Sequence, residues 1–392
     1  MREIWVTASL LWLAGVALRM TVLAVPPVIA LIQTDLGLTG TQIGILSGLP
    51  TLLFGVAALM GSLLIARFGA VPTLASGVLI AGIGSGLRGA ALDIGVLYAA
   101  TVLMSAGIAV VQPALPPLVQ RWFPKREGLA TAIYTNGLLI GETVPVMLTI
   151  PIVLPLVDGS WRWSFVIWGI PLVLIAIVTV AFAPRSDTNG AAAPAADTSW
   201  WPDWSNWLTW QCGLLLAGVN SIYFCCNTFL PGHLTSAGRP DLISVALTAL
   251  NFGQLPSSFL LLAIVHRLER RAWPFVLCGV LMLACVVGIA VTANAWTIFF
   301  AGSLGFLGAT VFTLGFALPA ILGDPTDVAR ISAAMFTVSY CTAVVVSVVS
   351  GAAWDLGGSP RFAFLPVAIS ALLLVFVPLT IRFRHSPSAA KV

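Results

Sequence analysis

Charge is what this sequence has least of. Lys, Arg, Asp and Glu make up 8% of its 392 residues, against 59% hydrophobic residues; a soluble domain carries about 25% charged residues. A chain this poor in charge cannot cover a water-facing surface, so most of its area faces lipid. The few charges do not cluster either. The net charge is +4, but no run of Lys and Arg is long enough for a nucleic-acid face, and the surplus fits basic loops on one side of a membrane. Histidine is scarcer still: His233, His266 and His385 fall at the ends of apolar runs or in the tail, where water is expected to reach them. The six cysteines (Cys212, Cys225, Cys226, Cys278, Cys285 and Cys341) lie in apolar stretches with no CxxC spacing. That argues against a disulfide frame or a zinc site and for simple packing. Also missing are a GxxxxGK[ST] phosphate loop, an HExxH helix and a supported Ser-His-Asp set. The expectation is no enzyme, no cofactor and no metal.

What is present is a series of apolar runs separated by short polar or Gly/Pro-rich breaks. Met1-Arg2 ahead of an apolar run mimics a signal peptide, but the run continues from Ile4 to about Gln33, too long for a signal h-region, and it is kept as the first span. The runs predict membrane helices over 5–33, 42–66, 71–92, 94–121, 128–156, 163–184, 207–234, 242–266, 272–293, 295–322, 330–354 and 361–383. Each reaches the roughly 20 residues a crossing requires. The runs are continuous, not alternating with period two, which favours helices over a β-barrel. The one long break, Arg185 to Asn206, opens as a flexible Ser/Asn/Gly/Ala/Pro stretch and ends in Trp200, Trp201, Trp204, Trp207 and Trp210, an interfacial anchor. The expected fold is an all-α membrane protein with 12 transmembrane helices in two parallel-repeat six-helix bundles. Its divisions are 1–184, a cytoplasmic linker at 185–206, and 207–392 with a short cytoplasmic tail.

Basic residues orient the chain. With the N-terminus cytoplasmic, Arg2, Arg67, Arg121, Lys125, Arg126, Arg185, Arg267, Arg270, Arg271, Arg330, Arg382, Arg384 and Lys391 fall inside. Arg88, Arg162, Arg239 and Arg361 fall outside, and Arg19 falls in the membrane. The positive-inside rule then puts both termini and the linker in the cytoplasm, of a bacterial inner membrane. The halves also repeat each other. Leu49-Pro50 recurs as Leu255-Pro256, 206 residues on; Ala114-Leu115-Pro116 recurs as Ala317-Leu318-Pro319, 203 on; Arg126 recurs as Arg330, 204 on. Three matches in order at nearly one offset, six spans apart, describe a parallel repeat.

With six spans, a linker and six spans, the chain resembles the major facilitator superfamily over essentially its whole length. The family's loop between spans two and three is only partly kept: Arg67 and Gly69 fit, Ala66 stands where an acid is usual, and Ala70-Val71 replace later basic residues. The loop Arg121-Trp122-Phe123-Pro124-Lys125-Arg126-Glu127-Gly128 is more typical. Leu18-Arg19-Met20, Pro26-Pro27, Leu36-Gly37-Leu38-Thr39, Gln42, Gly44, Leu46 and Leu49-Pro50 resemble the cyanate and nitroimidazole transporter branch. The resemblance implies a carrier working by alternating access, commonly as a monomer. The first span of each half would line a central cavity, with the first and fifth helices as neighbours.

Arg19 is the strongest single signal. It stands about 14 residues, or about 21 Å of helix, from either end of the first predicted span. Holding Arg at such depth costs about 2.5 to 17 kcal/mol, so it must face a wet cavity or a partner. Its planar fork suits a carboxylate-like substrate; the alternative is a structural ion pair or a backbone tether. Glu142, in the middle of the fifth span, is the one acid deep inside a span, a candidate for proton coupling or gating or a structural partner of Arg19. In the combined reading the two pair when the cavity is empty, and an anion competes for Arg19 while Glu142 takes a proton. Polar residues that would complete a substrate pocket are Tyr134 on the fifth span, Asn220, Tyr223 and Asn227 on one face of the seventh, Asn251 and Gln254 on the eighth, and Tyr340 on the eleventh. Gln112 and Asn136 are further candidates, Phe224 and Phe312 are rings that could hold a flat solute, and each of these could equally serve helix packing. Pro26-Pro27, Pro113, Pro116-Pro117, Pro231, Pro256 and Pro319 are expected to bend or break helices.

The expected function is a proton-coupled symporter for a small organic anion or polar heterocycle, with the substrate, protons and the lipid bilayer as its only partners. The alternative is a proton-driven multidrug or metabolite exporter, which a buried Arg19 disfavours for cationic drugs.

Overall fold

A computed structural model describes residues 2–56, 64–65, 67–123, 126–184, 204–268, 270–323, 328–381 and 383. The linker as far as residue 203 (Trp200 and Trp201 included), Ala66, Pro124, Lys125, Arg382, Arg384 and Lys391 lie outside these residues. Among the described residues every regular element is a helix.

The first half of the chain holds α1 (Arg2–Met20), α2 (Ile29–Leu36), α3 (Gly40–Val56), α4 (Ala70–Arg88), α5 (Ile94–Val111), α6 (Leu115–Trp122), α7 (Glu127–Leu148) and α8 (Trp161–Phe182). The second holds α9 (Trp207–Ser236), α10 (Ile243–Phe252), α11 (Gln254–Leu268), α12 (Trp273–Val291), α13 (Ala295–Leu322), α14 (Val328–Gly357) and α15 (Phe364–Thr380). Among the described residues, nine helical stretches are long and apolar enough to cross a bilayer unaided. They coincide with the predicted spans other than the first, second and eighth. The first is interrupted between Met20 and Ile29, and the eighth at Gly253. The second runs past Val56 into residues outside the described set.

The breaks have local causes. Pro26 and Pro27, which have no backbone N–H to donate, start a 3-10 turn at Pro26–Val28 between α1 and α2. Pro113 sits in a similar turn, Gln112–Ala114, between α5 and α6. Pro231 and Pro319 break nothing: each lies inside a continuous helix, α9 and α13. α2 stops at Gly37, whose φ of 63° is the left-handed conformation that costs glycine no Cβ clash. Starts are capped by side chains: Asp93 accepts from Val96 N at α5 and Asn294 from Trp296 N at α13. Such caps satisfy N–H groups a helix end leaves free.

Packing pairs recur between the halves. In the first, α1 lies on α7, α4 on α5 and α8, and α3 on α5; in the second, α9 lies on α14, α12 on α13 and α15, and α10 and α11 on α13. The α1–α7 seam is built on glycine: a Cβ at Gly15, Gly137 or Gly141 would run into the facing backbone, so the two helices touch closely. α9 is the most enclosed of these spans, with 89% of its most apolar stretch buried, and it touches α2 and α3 of the first half as well as its own neighbours. The halves meet chiefly where α3 packs on α14 and α7 on α10.

One sequence expectation is corrected by burial. His233 is not solvated: it is 7% exposed, its Nε2 lies 3.0 Å from the Thr292 carbonyl and its ring meets Phe364 edge-on. Arg88, which lies within the third predicted span, ends α4 fully buried. Its Nη2 donates to the Thr21 carbonyl at 2.8 Å and to Ser85 Oγ at 3.1 Å, and its guanidinium lies 4.2 Å from the Phe165 ring centre. Thr21 belongs to the break after α1, so Arg88 occupies a carbonyl that the break sets free.

Candidate functional site

Arg19 is not mid-helix, as the span prediction had it. It stands in the last turn of α1, and its own carbonyl accepts Val22 N and Leu23 N as the chain turns away. A cation at a helix C-terminus meets the negative end of the helix dipole, so the break that follows also helps to hold the charge. Its Nε lies 3.3 Å from Glu142 Oε1, with the two side chains 11% and 5% exposed. The close α1–α7 seam makes this distance possible.

The pair is wrapped from both halves of the chain. Phe54 of α3 lies 5.3 Å and Phe224 of α9 5.6 Å from the guanidinium carbon, within cation–π range. Gln254, the first residue of α11, donates Nε2 to Glu142 Oε2 at 3.1 Å. Each carboxylate oxygen of Glu142 thus has a partner, one from each half. Arg19 is less fully used: among the described residues its Nη1 is buried without a hydrogen-bond partner, although the guanidinium has Tyr340 as a side-chain hydrogen-bond partner and Tyr223 within electrostatic reach. A buried guanidinium N–H left without an acceptor is costly.

Beside the pair lies an uncharged network. Tyr223 donates its hydroxyl to Asn251 Oδ1 at 2.6 Å. Asn251 Nδ2 donates to Asn227 Oδ1 at 2.9 Å and to the Leu247 carbonyl at 2.8 Å, and Asn227 Nδ2 donates to the Tyr223 carbonyl at 3.0 Å. The structure therefore brings Arg19, Glu142, Tyr223, Asn227, Asn251 and Gln254 into one neighbourhood. Tyr340 joins directly, as a side-chain hydrogen-bond partner of Arg19, and its ring lies 5.8 Å from that of Phe54, edge-on. Asn220 does not join: it donates to Ser339 Oγ at 2.8 Å, tying α9 to α14. Tyr134 stands apart too, eight residues or about 12 Å along α7 from Glu142 and half-buried. Asn136 accepts from Trp12 Nε1 at 2.9 Å, a packing bond. Phe312 stacks on Phe316, which reaches Tyr340 through Phe336, and makes no ring contact with the guanidinium.

Phe54 was missed by sequence reasoning, since one ring inside an apolar run carries no signal of its own. Among the described residues no group of His, Cys, Asp and Glu is arranged to hold a metal.

The site's chemistry can now be set beside known proteins. The sequence profile of the Major Facilitator Superfamily matches residues 11–238. An uncharacterized transporter, YycB, of Bacillus subtilis is 24% identical over 271 residues, 69% of this chain and 66% of that one. The 2-nitroimidazole transporter of Escherichia coli is 24% identical over 367 residues, 91% of this chain and 90% of that one. The cyanate transport protein CynX of the same organism is 22% identical over 278 residues, covering 70% and 69%. Among solved structures, a bacterial homolog of the human lysosomal transporter Spinster, inward-facing and unoccupied, superposes with a TM-score of 0.69 at 16% identity. That match covers 96% of this chain and 95% of that one.

Proposed function

The chain belongs to the Major Facilitator Superfamily and is a membrane transporter, not an enzyme; from that premise we propose that it is a proton-coupled secondary carrier for a small organic anion or polar heterocyclic solute. In this reading it has two six-helix halves, 1–184 and 207–392, joined by the linker at 185–206, and it works as a monomer by alternating access.

The observation that carries the reading is the buried Arg19–Glu142 pair with its open Nη1. With the site empty, Glu142 neutralises Arg19, and neither charge is left alone in apolar surroundings. An anion first engages the open Nη1, then displaces Glu142 from the guanidinium fork, whereas a neutral acceptor-rich heterocycle engages Nη1 and leaves the ion pair in place. The displaced carboxylate takes up a proton, because a buried charge stripped of its partner costs about 3–5 kcal/mol. Anion and proton thus enter together, and the loaded site has the same net charge as the empty one. Phe54 and Phe224 would flank a flat solute on Arg19, and Gln254 carries the state of Glu142 across to the second half.

Orientation follows the basic residues, with both termini in the cytoplasm of a bacterial inner membrane. The Spinster homolog's inward-facing state supports reading the present one as closed outward. The names of the relatives, a cyanate and a 2-nitroimidazole transporter, agree with a small anionic or heterocyclic cargo.

The test is thermal stabilisation of the purified protein by acetate, benzoate, cyanate and 2-nitroimidazole, for wild type, Arg19→Ala and Glu142→Gln. The reading expects stabilisation by at least one of them, lost in Arg19→Ala and kept in Glu142→Gln. Stabilisation that survives Arg19→Ala would move substrate binding elsewhere and leave the pair a structural role.

A further inference from the structure

At the end of the bundle away from the chain's N-terminus, one helix of the first half begins against the last turn of a helix from the second. α3 starts at Gly40, and its first turn is capped in two instalments. Thr39 and Gln42 form a capping box within the chain: Gln42 N donates to Thr39 Oγ1 at 3.2 Å, and Thr39 N donates to Gln42 Oε1 at 3.0 Å. That leaves the N–H groups of Gly40 and Thr41, which a helix cannot pair internally. Both go to a residue more than three hundred positions away. Asp355 Oδ1 accepts from Gly40 N at 2.6 Å, and Oδ2 accepts from Thr41 N at 2.8 Å and Thr41 Oγ1 at 2.5 Å. The carboxylate of α14 thereby completes the N-terminus of α3, with its negative charge at the positive end of that helix.

Below this contact the two helices run together as a tapering seam. A Cβ at Gly351 would meet the Gly40 carbonyl, and one at Gly44 the Ser347 carbonyl; one at Gly48 would reach Val344 Cγ1 only at 3.4 Å, and one at Gly55 would have nothing nearer than 3.5 Å. Ser347 Oγ adds a bond to the Gly44 carbonyl at 3.0 Å. The seam is tightest where Asp355 holds it. Asp355 is exposed, so water can replace its partners when the helices part, and the contact can be made and broken in each cycle.

We infer that Asp355 is the latch that keeps this end of the carrier closed, by capping α3 across the boundary between the halves. This rests on the alternating-access reading, under which α3 and α14 must separate at this end. It does not depend on which solute binds at Arg19.

Hydrogen–deuterium exchange of the full chain in detergent, without substrate, tests it. The second seam between the halves, α7 against α10, makes no bond to Asp355 and reports whether the halves part or one helix turn merely frays. In Asp355→Ala, exchange is expected to rise about tenfold, the scale of losing about 1.4 kcal/mol of charge-assisted bonding, in three segments: α3 from Gly40 to Gly48, α14 from Val344 to Gly357, and α10. Thr41→Val, which removes only the side-chain bond, is expected to give a smaller rise in the same segments. A rise confined to the first turn of α3, or no rise, overturns the latch and leaves Asp355 a local cap. Should Asp355→Ala fail to fold, Asp355→Asn carries the same comparison, since it removes the charge and keeps one acceptor. Binding at Arg19 that fails while both seams still open together would sink the anion assignment and leave the latch standing.

Discussion

The two halves of the chain solve the same packing problem with different chemistry. At the offsets of 203 to 206 that relate the halves, Arg19 falls opposite Ile222 to Cys225 and Glu142 opposite Val345 to Val348, none of them charged. The first half thus places an ion pair where the second has no charged residue. The α1–α7 and α9–α14 pairings are alike, and the helices' starts are alike down to the caps Asp93 and Asn294. Charge chemistry has been concentrated in one half, while the other surrounds it with amides, hydroxyls and rings. The difference sets an order of fragility, because an unpartnered buried charge costs several times more than a lost neutral hydrogen bond.

The largest effect should come from splitting the pair. Arg19→Ala alone should destabilise the folded protein by about 3–5 kcal/mol, and Arg19→Ala with Glu142→Gln should recover most of that, as read by thermal unfolding in detergent. A double variant no more stable than the single would mean that the charges do not depend on each other. Next is the seam between the halves: Gly351→Ala, which pushes a Cβ into the Gly40 carbonyl, should cost about 1–3 kcal/mol and slow transport in proteoliposomes. Gly86→Ala, where a Cβ meets nothing within 4 Å, should leave transport unchanged. In the second half, Asn251→Ala removes bonds to Tyr223, Asn227 and Leu247, yet should cost under about 2 kcal/mol. A loss as large as that of Arg19→Ala would erase the contrast between the halves.

The smallest effect should be at the surface. The hydrogen bond from Arg162, then that from Trp161, holds the exposed Asp35 carboxyl below its ordinary range. A lowered carboxylate contributes stability that is present above its unfolded value and is lost as pH falls through its folded one. Arg162→Ala should therefore lower the unfolding temperature slightly between about pH 5 and 8, less so at high salt, and the difference from wild type should disappear in more acid solution.

Most of the helices were legible because lipid demands long apolar runs and the breaks between them are polar. The interruption at Pro26-Pro27 was legible too, but not that α1 would stop at Met20, which is why Arg19 was placed mid-span. What Arg88 meets could not be read along the chain, since its nearest acceptor is a carbonyl freed by a break in another helix. His233 misled because its partner Thr292 lies 59 positions on. The Arg19–Glu142 distance could not be read along the chain, since it depends on how closely Gly15, Gly137 and Gly141 let two helices approach. Asp355 fell just past the eleventh predicted span and gave no sign of capping a helix from the other half.

The central claim is that an anion displaces Glu142 from Arg19 while Glu142 takes a proton. The most direct measurement is proton uptake by the purified protein in weak buffer, followed with a pH dye as the stabilising anion from the panel is added to saturation. About one proton per bound anion is predicted for wild type, because only a protonated Glu142 keeps the site's charge constant. No uptake is predicted for Glu142→Gln, although it still binds. Binding by wild type with no proton taken up, or uptake undiminished in Glu142→Gln, would contradict the account.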